Sequence, residues 1–305
     1  MAAKLSIVIP SHSRVGLLSA CLTSVIRHAP PETEIIVVDD GSPRAIVQSL
    51  VADFPTVECL RLPKQRGFAY AANAGLQAAT SPLVELLNDD TEVTAGWAEA
   101  ATALFKNRRV AAVAPLVLQW PGLAAPVPRI DSAGDHYYFA GIARKRLHGK
   151  PLEQADLTRR RVLGASASSA FYRRDAVLAV GGLPESFGAY FEDIDLALRL
   201  NRAGYQALFE PASQVLHHVG ASHGPPEGRL LEQQSRNEER LFWRNIPTAL
   251  LFGLAPVHLA IVLAKAYRRW REGNLNPFLR GRFALLYEIA DIKKHRKGMK
   301  ALCHL

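Results

Sequence analysis

Four short stretches of this 305-residue chain carry side chains able to do chemistry. Asp39-Asp40 closes one apolar run, Asn88-Asp89-Asp90 closes another, Glu192-Asp193 opens a helix-like segment, and His217-His218 follows Val215-Leu216. Carboxylates are hard oxygen ligands suited to Mg²⁺ or Mn²⁺, and such a cation could in turn hold a diphosphate. A carboxylate in the first turn of a helix is favoured as the anion, the form a general base needs. Each stretch also has a plainer reading. Asn88-Asp89-Asp90 could be a polar turn in which Asp89 or Thr91 caps the next helix. Asp40-Gly41 could be only a turn. Glu192, Asp193 and Asp195 could simply complement the helix dipole, and a histidine at a strand end could be a satisfied polar residue.

The elements that must position these groups follow from periodicity. Apolar β-rich runs at 5–9, 34–38, 57–62, 83–93 and 110–118 read as strands. Between them, helical spacing covers 15–28, 43–54, 67–79 and 95–106. Alternation of this kind predicts an α/β fold with a mostly parallel sheet flanked by helices. Strands that stop in carboxylates place them at the carboxyl edge of such a sheet, where ligands bind. No G-x-G-x-x-G turn follows the first strand and no P-loop occurs, so the common dinucleotide and P-loop sites are excluded. Periodicity fades over 119–161, which predicts long irregular connections. The run Gly164-Ala165-Ser166-Ala167-Ser168-Ser169-Ala170 is small enough for a ligand to approach the backbone closely. Residues 206–210 and 213–216 read as two short extended pieces, and His223 as loop.

Half the residues are apolar (49%), enough to bury a sizeable core. The three cysteines, Cys21, Cys59 and Cys303, show no metal or disulfide spacing, and no signal-peptide pattern opens the chain. Both point to a reducing, cytoplasmic setting. The net charge of +9 is concentrated in residues 265–300, whose eleven Lys/Arg against Glu272, Glu288 and Asp291 leave +8. The remainder is close to neutral.

The ordered set of segments resembles family-2 glycosyltransferases of the GT-A fold. It comprises Val37-Val38-Asp39-Asp40-Gly41-Ser42, then Arg66-Gly67-Phe68-Ala69 with Asn73 and Gly75. Leu87-Asn88-Asp89-Asp90 follows, and Gly181-Gly182 leads to Phe191-Glu192-Asp193-Ile194-Asp195-Leu196. The likeness covers roughly residues 4–224, and Asp131-Ser132-Ala133-Gly134 leans towards the rhamnosyltransferase-like branch. It implies a metal-dependent inverting transferase using a nucleoside-diphosphate sugar donor and a glycan or lipid-linked glycan acceptor. It implies Asp90 as direct ligand of Mg²⁺ or Mn²⁺, with His217 as a further ligand and His218 as its alternative. Asn88 and Asp89 would lie near ribose or metal, and Asp40 would bind the nucleoside in a pocket lined by Pro10, Ser11 and His12. Arg66, beside Gly67, could approach the diphosphate. Asp193 would be the catalytic base, with Glu192 contacting acceptor or orienting it. Two departures, Pro10-Ser11-His12-Ser13-Arg14 for the frequent Pro-Thr-Tyr-Asn-Arg and Gln65 for Asn, leave the base (uridine, thymidine or guanosine) open.

The expected organisation is a catalytic domain at 1–224, with a donor half (1–118) and an acceptor half (119–224), and a helical extension at 225–305. Within the extension, 246–264 is free of formal charge and long enough to raise a transmembrane reading. Pro247, Gly253, Pro256 and His258 interrupt it and basic residues flank both sides, so an interfacial or re-entrant segment is expected instead. The aromatic and basic residues beyond it suit an anionic membrane surface. Packing on the catalytic domain or in a homodimer is the alternative, and nothing else in the chain points to nucleic acid. The rival readings of the whole are a sugar nucleotidyltransferase and a non-enzymatic membrane- or nucleic-acid-binding module. The first of these lacks its expected Gly- and Lys/Arg-rich loop, for which residues 10–16 are a poor match.

Overall fold

A computed structural model of the chain describes residues 5–218 and 228–302. The chain divides into two compact units. One holds Met1–His136 with Lys145–Ser222, the other Tyr137–Arg144 with His223–Leu305. The domain boundary expected at 224 and the loop expected at His223 lie outside the described residues.

Up to residue 102 the chain runs β1 (Leu5–Ser11), α1 (Val15–His28), β2 (Glu34–Asp39), α2 (Ile46–Val51), β3 (Glu58–Arg61), α3 (Phe68–Ala78), β4 (Leu83–Leu87), β5 (Thr91–Val93) and α4 (Trp97–Thr102). It continues through β6 (Val110–Gln119), β7 (Ile130–Ser132), β8 (Asp135–Tyr138), β9 (Ile142–Lys145), β10 (Arg160–Val162), β11 (Ser169–Arg173), α5 (Arg174–Ala179), α6 (Glu192–Arg202) and β12 (Gln206–His217). Ten strands form one sheet in the order β10-β12-β6-β11-β4-β1-β2-β3, with β5 on β12 and β7 on β6. Strands β3, β2, β1 and β4 are parallel, as the strand–helix alternation requires. Beyond β4 the sheet is mixed, because β11 enters antiparallel between β4 and β6. An antiparallel neighbour brings no crossover helix, so the alternation pattern could not reveal it.

Alternate side chains of the strands serve opposite faces. Ile7, Ile9, Val37, Leu87 and Phe171 join Leu18, Leu22, Val25 and Trp97 in one buried cluster against α1 and α4. Full burial of each such side chain contributes roughly 1.5–3 kcal/mol. On the other face, α3 lies so close that a Cβ at Gly75 would meet Val8 Cγ1 at 2.2 Å and Val38 Cγ2 at 3.0 Å. Gly75 is therefore a packing requirement.

Several sequence expectations are corrected. The fourth apolar run breaks at residues 88–90, separating β4 from β5. The helix expected at 95–106 is α4 followed by a 3₁₀ turn, Ala103–Lys106. The irregular stretch 119–161 contains β7, the β8–β9 hairpin and β10, each three or four residues long, too short for periodicity to register. The two extended pieces after 205 are one strand, β12, with an irregularity between Glu210 and Gln214.

The second unit is built from α7 (Gly228–Asn245), α8 (Thr248–Arg271), α9 (Leu275–Ala284) and α10 (Ile289–Leu302). The interruption expected within 246–264 is absent: Pro247 precedes α8, and Pro256 sits inside a continuous 24-residue helix. A proline there removes one helical N–H without ending the helix. By length and composition α8 could cross a membrane (mean hydropathy 1.9). His258 is its one described buried residue. The ring stacks on Phe242 with centroids 3.7 Å apart, Nε2 lies 3.1 Å from Glu239 Oε1, and Nδ1 donates to the Ala140 carbonyl at 2.9 Å. Several of the tail's cations are likewise taken up inside the unit, Arg282 by Glu238 and Glu239, Arg236 and Arg240 by Glu288.

Candidate active site

β1 and β4 are parallel neighbours, so the turns leaving them lie side by side. Ser11 Oγ donates to Asp89 at 2.7 Å, and the Arg14 guanidinium bridges Asp89 and Asp90, reaching Asp90 Oδ2 at 2.7 Å. Asp90 is 1% exposed. Its Oδ1 lies 3.2 Å from His217 Nε2. Pairing of β12 with β5, which sets His217 opposite Thr91, brings these distant residues together. The other ring nitrogen, Nδ1, lies 3.0 Å from Asp131 Oδ2. Asp131 also receives Lys145 Nζ at 2.8 Å, and His148 Nδ1 lies 2.8 Å from its carbonyl oxygen and 3.3 Å from Oδ1. His218 turns elsewhere, stacking on Trp120 at 4.7 Å with Nε2 2.8 Å from Glu92. It meets Asp90 through its backbone N–H, which donates to the Asp90 carbonyl at 2.9 Å.

These contacts set the charges. Burial pushes Asp89 up to about 6 against the pull of Arg14 and Ser11. Burial opposes a charged His217, but its bonds to Asp131 and Asp90 prevail and lift it to about 9. Burial would also raise Asp131, yet hydrogen bonds from His148 and His217 and the Lys145 charge hold it well below the usual carboxylate range. Asp90 thus faces two cationic groups, Arg14 and protonated His217. A carboxylate and an imidazole nitrogen this close are a donor pair that Mn²⁺ or Mg²⁺ could use. Among the described residues no group of three His, Cys, Asp or Glu forms a cage. An ion that keeps positions for phosphate oxygens and water needs none.

The segments expected to hold the nucleoside also converge. Asp40 N donates to the Ser11 carbonyl at 2.8 Å, which brings the Pro10-Ser11-His12 end of β1 to Asp40, and His12 Nδ1 lies 2.9 Å from the Asp40 carbonyl. The Asp40 carboxylate accepts the backbone N–H groups of Arg66 and Gly67 at 2.7 and 2.8 Å. It therefore clamps that turn, which leaves a nucleoside only its remaining lone pairs. Gly67 has φ +91°, and a Cβ there would lie 3.4 Å from Gly188 Cα. The Arg66 guanidinium lies 4.0 Å over the Tyr70 ring. Asn88 is half-buried, and its backbone N–H donates to the Ser168 carbonyl at 3.0 Å.

Residue 168 leads to the second acidic group. The neighbouring Ala167 N–H donates to Asp193 Oδ2 at 3.0 Å, and the Ile194 N–H donates to Oδ1 at 2.8 Å. Consecutive residues of one small-residue loop thus touch both the Asn88 turn and the Asp193 carboxylate. Helix α6 is entered through Tyr190 and Phe191 at φ +71° and +70°, a conformation that side chains other than glycine adopt at a cost of about 1–3 kcal/mol. Burial raises both Glu192 and Asp193. Asp193 has two N–H donors favouring its anion, whereas Glu192 Oε2 has no hydrogen-bond partner among the described residues and feels the Asp193 charge. Glu192 therefore keeps its proton while Asp193 ionises first. Asp195 pairs with Arg199 at 2.8 Å, a structural role.

Three participants were not singled out from the sequence. Arg14 lay in the segment that departs from the usual motif. Asp131 lay in the Asp131-Ser132-Ala133-Gly134 segment noted only for its resemblance. Asp135 is fully buried, raised well above its usual value by burial and then by the Asp193 charge, with Oδ2 unpartnered among the described residues. Acids spaced by four residues on short strands carry no signal that separates them from turn residues.

This sheet and its acidic edge are those of a GT-A glycosyltransferase fold. The chain superposes on GalNAc-T7, solved with UDP, GalNAc and Mn²⁺, with a TM-score of 0.62 at 17% identity, covering 95% of this chain and 58% of that one. The mannosyltransferase PcManGT from Pyrobaculum calidifontis, in complex with GDP-Man and Mn²⁺, superposes with a TM-score of 0.55 at 16% identity, covering 99% and 85%. The glycosyl transferase family 2 model matches residues 6–181, more than half of the sequence, and the chain belongs to that family. An uncharacterized protein, y4gI, of Sinorhizobium fredii is 31% identical over 78% of this chain and 27% of its own length. The pre-mycofactocin glycosyltransferase of Mycobacterium tuberculosis is 29% identical over 70% of this chain and 42% of its own. The N-acetylglucosaminyl-diphospho-decaprenol L-rhamnosyltransferase of the same species is 26% identical over 72% and 78%. The chain thus spans less than half the length of the first two relatives.

Proposed function

We propose that the chain is a metal-dependent, inverting glycosyltransferase. It would move a sugar from a nucleoside-diphosphate sugar to a hydroxyl of a glycan or lipid-linked glycan. The observation that carries this reading is the loop at Ala167-Ser168. Its adjacent residues bond the Asn88 backbone N–H, in the Asn88-Asp89-Asp90 turn, and the buried, N–H-supported Asp193 carboxylate. A site for the leaving group and a base for the acceptor must be adjacent for in-line displacement.

Asp90 and His217 would hold Mg²⁺ or Mn²⁺, which when bound neutralises the departing diphosphate. Pro10, Ser11, His12, Asp40 and the Arg66-Gly67 turn would hold the nucleoside and diphosphate, with Asn88 and Asp89 towards the ribose. Asp193 takes the proton of the acceptor hydroxyl, whose oxygen bonds to the anomeric carbon as the bond from that carbon to the diphosphate oxygen breaks. Protonated Glu192 can donate a hydrogen bond to the acceptor or orient Asp193. No enzyme nucleophile is needed, and one displacement inverts the anomeric centre. The 26%-identical rhamnosyltransferase supports a lipid-linked acceptor.

The tail supports peripheral attachment to the cytoplasmic face of an anionic membrane. Phe252 (89% exposed) and Tyr287 (92%), with Leu259, Leu263, Tyr267 and Trp270, are unburied apolar groups interleaved with cations. This composition suits a lipid headgroup layer. The function is tested by a thermal-shift and turnover screen of UDP-, dTDP- and GDP-sugars with Mn²⁺. A specific donor stabilises only the folded chain. Stabilisation by one nucleoside class, and release of its diphosphate when acceptor is added, are expected. A screen with neither effect across all donors overturns the reading.

A further inference from the structure

We infer that Asp131 is a positioning residue for the metal site, fixing the His217 ring so that Nε2 is the nitrogen offered beside Asp90. This rests on the metal reading of Asp90 and His217 proposed above and goes beyond it. A histidine has two nitrogens, and which one can ligate is set by the hydrogen bond the other makes. Here the division is geometric. Nδ1 lies 3.0 Å from Asp131 Oδ2, and Nε2 lies 3.2 Å from Asp90 Oδ1. Ligating histidines commonly give their second N–H to a carboxylate in this way.

Asp131 is itself immobilised. It is 1% exposed and lies on β7, which pairs with β6. Lys145 Nζ donates to it at 2.8 Å, and His148 lies 3.3 Å from its other oxygen. The His217 ring is thus held from behind by a buried carboxylate that Lys145 anchors, with His148 bonded to the backbone carbonyl of the same residue. Asp131 meets the ring nitrogen opposite the one beside Asp90. It acts through His217.

The inference is tested by a double-mutant cycle read as Mn²⁺ affinity, measured by electron paramagnetic resonance on the full chain without substrates. Asp131→Asn should weaken Mn²⁺ binding about 10–100-fold when His217 is present, the usual range for loss of such a partner. In a His217→Ala background the same change should have less than a threefold effect, because the group it positions is gone. Equal losses in both backgrounds would show a merely structural role and overturn the inference. So would unchanged binding in Asp131→Asn while Asp90→Asn lowers it, which would leave the metal site standing. If Asp90→Asn also leaves Mn²⁺ binding unchanged, the metal reading falls and this inference with it.

A second measurement needs no variant. With Zn²⁺ as a diamagnetic probe, two-bond ¹⁵N–¹H correlations of the wild-type chain should show His217 metallated at Nε2 and protonated at Nδ1. Metallation at Nδ1 overturns the inference even if Asp131→Asn does not fold.

Discussion

The first unit holds two groups of buried carboxylates that differ in what surrounds them. Asp89, Asp90 and Asp131 are compensated, by Arg14, by Lys145 and by His217 lifted to about 9. Glu192, Asp193 and Asp135 have no salt-bridge partner among the described residues, and burial raises all three. Buried carboxylates among cations stay ionised and bind positive charge. Buried carboxylates without them hold protons, and differences in N–H donation decide which one releases first. On the proposed reading, the same residue types would give a cation grip in one place and a proton-transfer site in the other.

The sharpest way to break this contrast is Asp193→Asn. Turnover should fall about 10²–10⁴-fold, the usual contribution of a general base, with donor affinity changed only a few-fold. Retained turnover with the true donor and acceptor removes Asp193 as base. On the compensated side, EDTA should abolish activity and Mn²⁺ or Mg²⁺ restore it. Asp90→Asn should raise the Mn²⁺ concentration needed by roughly 10–100-fold, and full activity in EDTA would sink that side.

Glu85 extends the contrast into the sheet. It lies in the middle of β4 at 0% exposure, and burial pushes it up to about 8 despite bonds from Ser169 and Trp97. Below its ordinary value near 4.5 both folded and unfolded chains carry the proton. Between there and about 8 only the folded chain keeps it, so stability falls as pH rises through that window. Glu85→Gln should therefore gain on wild type between pH 5 and pH 8, by on the order of a few kcal/mol, read as a widening difference in Tm. A difference that does not change with pH would show Glu85 to be ionised in the fold. The smallest effect is expected at Glu192. Gln imitates its protonated form, so Glu192→Gln should lower kcat by about tenfold or less, far less than Asp193→Asn. A loss matching that of Asp193→Asn would make Glu192 the group that ionises.

The parallel half of the sheet was legible because its apolar strands alternate with helices at regular spacing, and two of them, β2 and β4, run into carboxylates. Helix α1 spans Val15–His28, the segment its periodicity marks. Asn73 and Gly182, noted only as motif residues, meet in space. Asn73 Nδ2 donates to the Leu183 carbonyl at 2.9 Å and its Oδ1 accepts the Leu183 N–H at 2.8 Å. A Cβ at Gly182 would lie 2.6 Å from that side chain. The motif order was visible and the contact was not, because it joins residues far apart in sequence. Asp131 and Arg14 were hidden for a related reason. Each acquires its role from partners on other elements, and neither has a neighbour in sequence that reveals it. The choice between His217 and His218 likewise depends on strand pairing, since His217, the last residue of β12, is set opposite Thr91 while His218 lies beyond the strand and stacks on Trp120.

The placement of β11 bears on how the chain is made. Ser169–Arg173 sits between β4 and β6, which end by residue 119, so the middle of the sheet stays open until a much later segment arrives. Non-local closure of this kind slows folding. A nascent or truncated chain ending near residue 118 would expose the edge of β4, and such unpaired edges recruit other chains. Production of the donor half alone should therefore yield aggregates, and chaperone contact during synthesis should persist until residue 173 has cleared the ribosome.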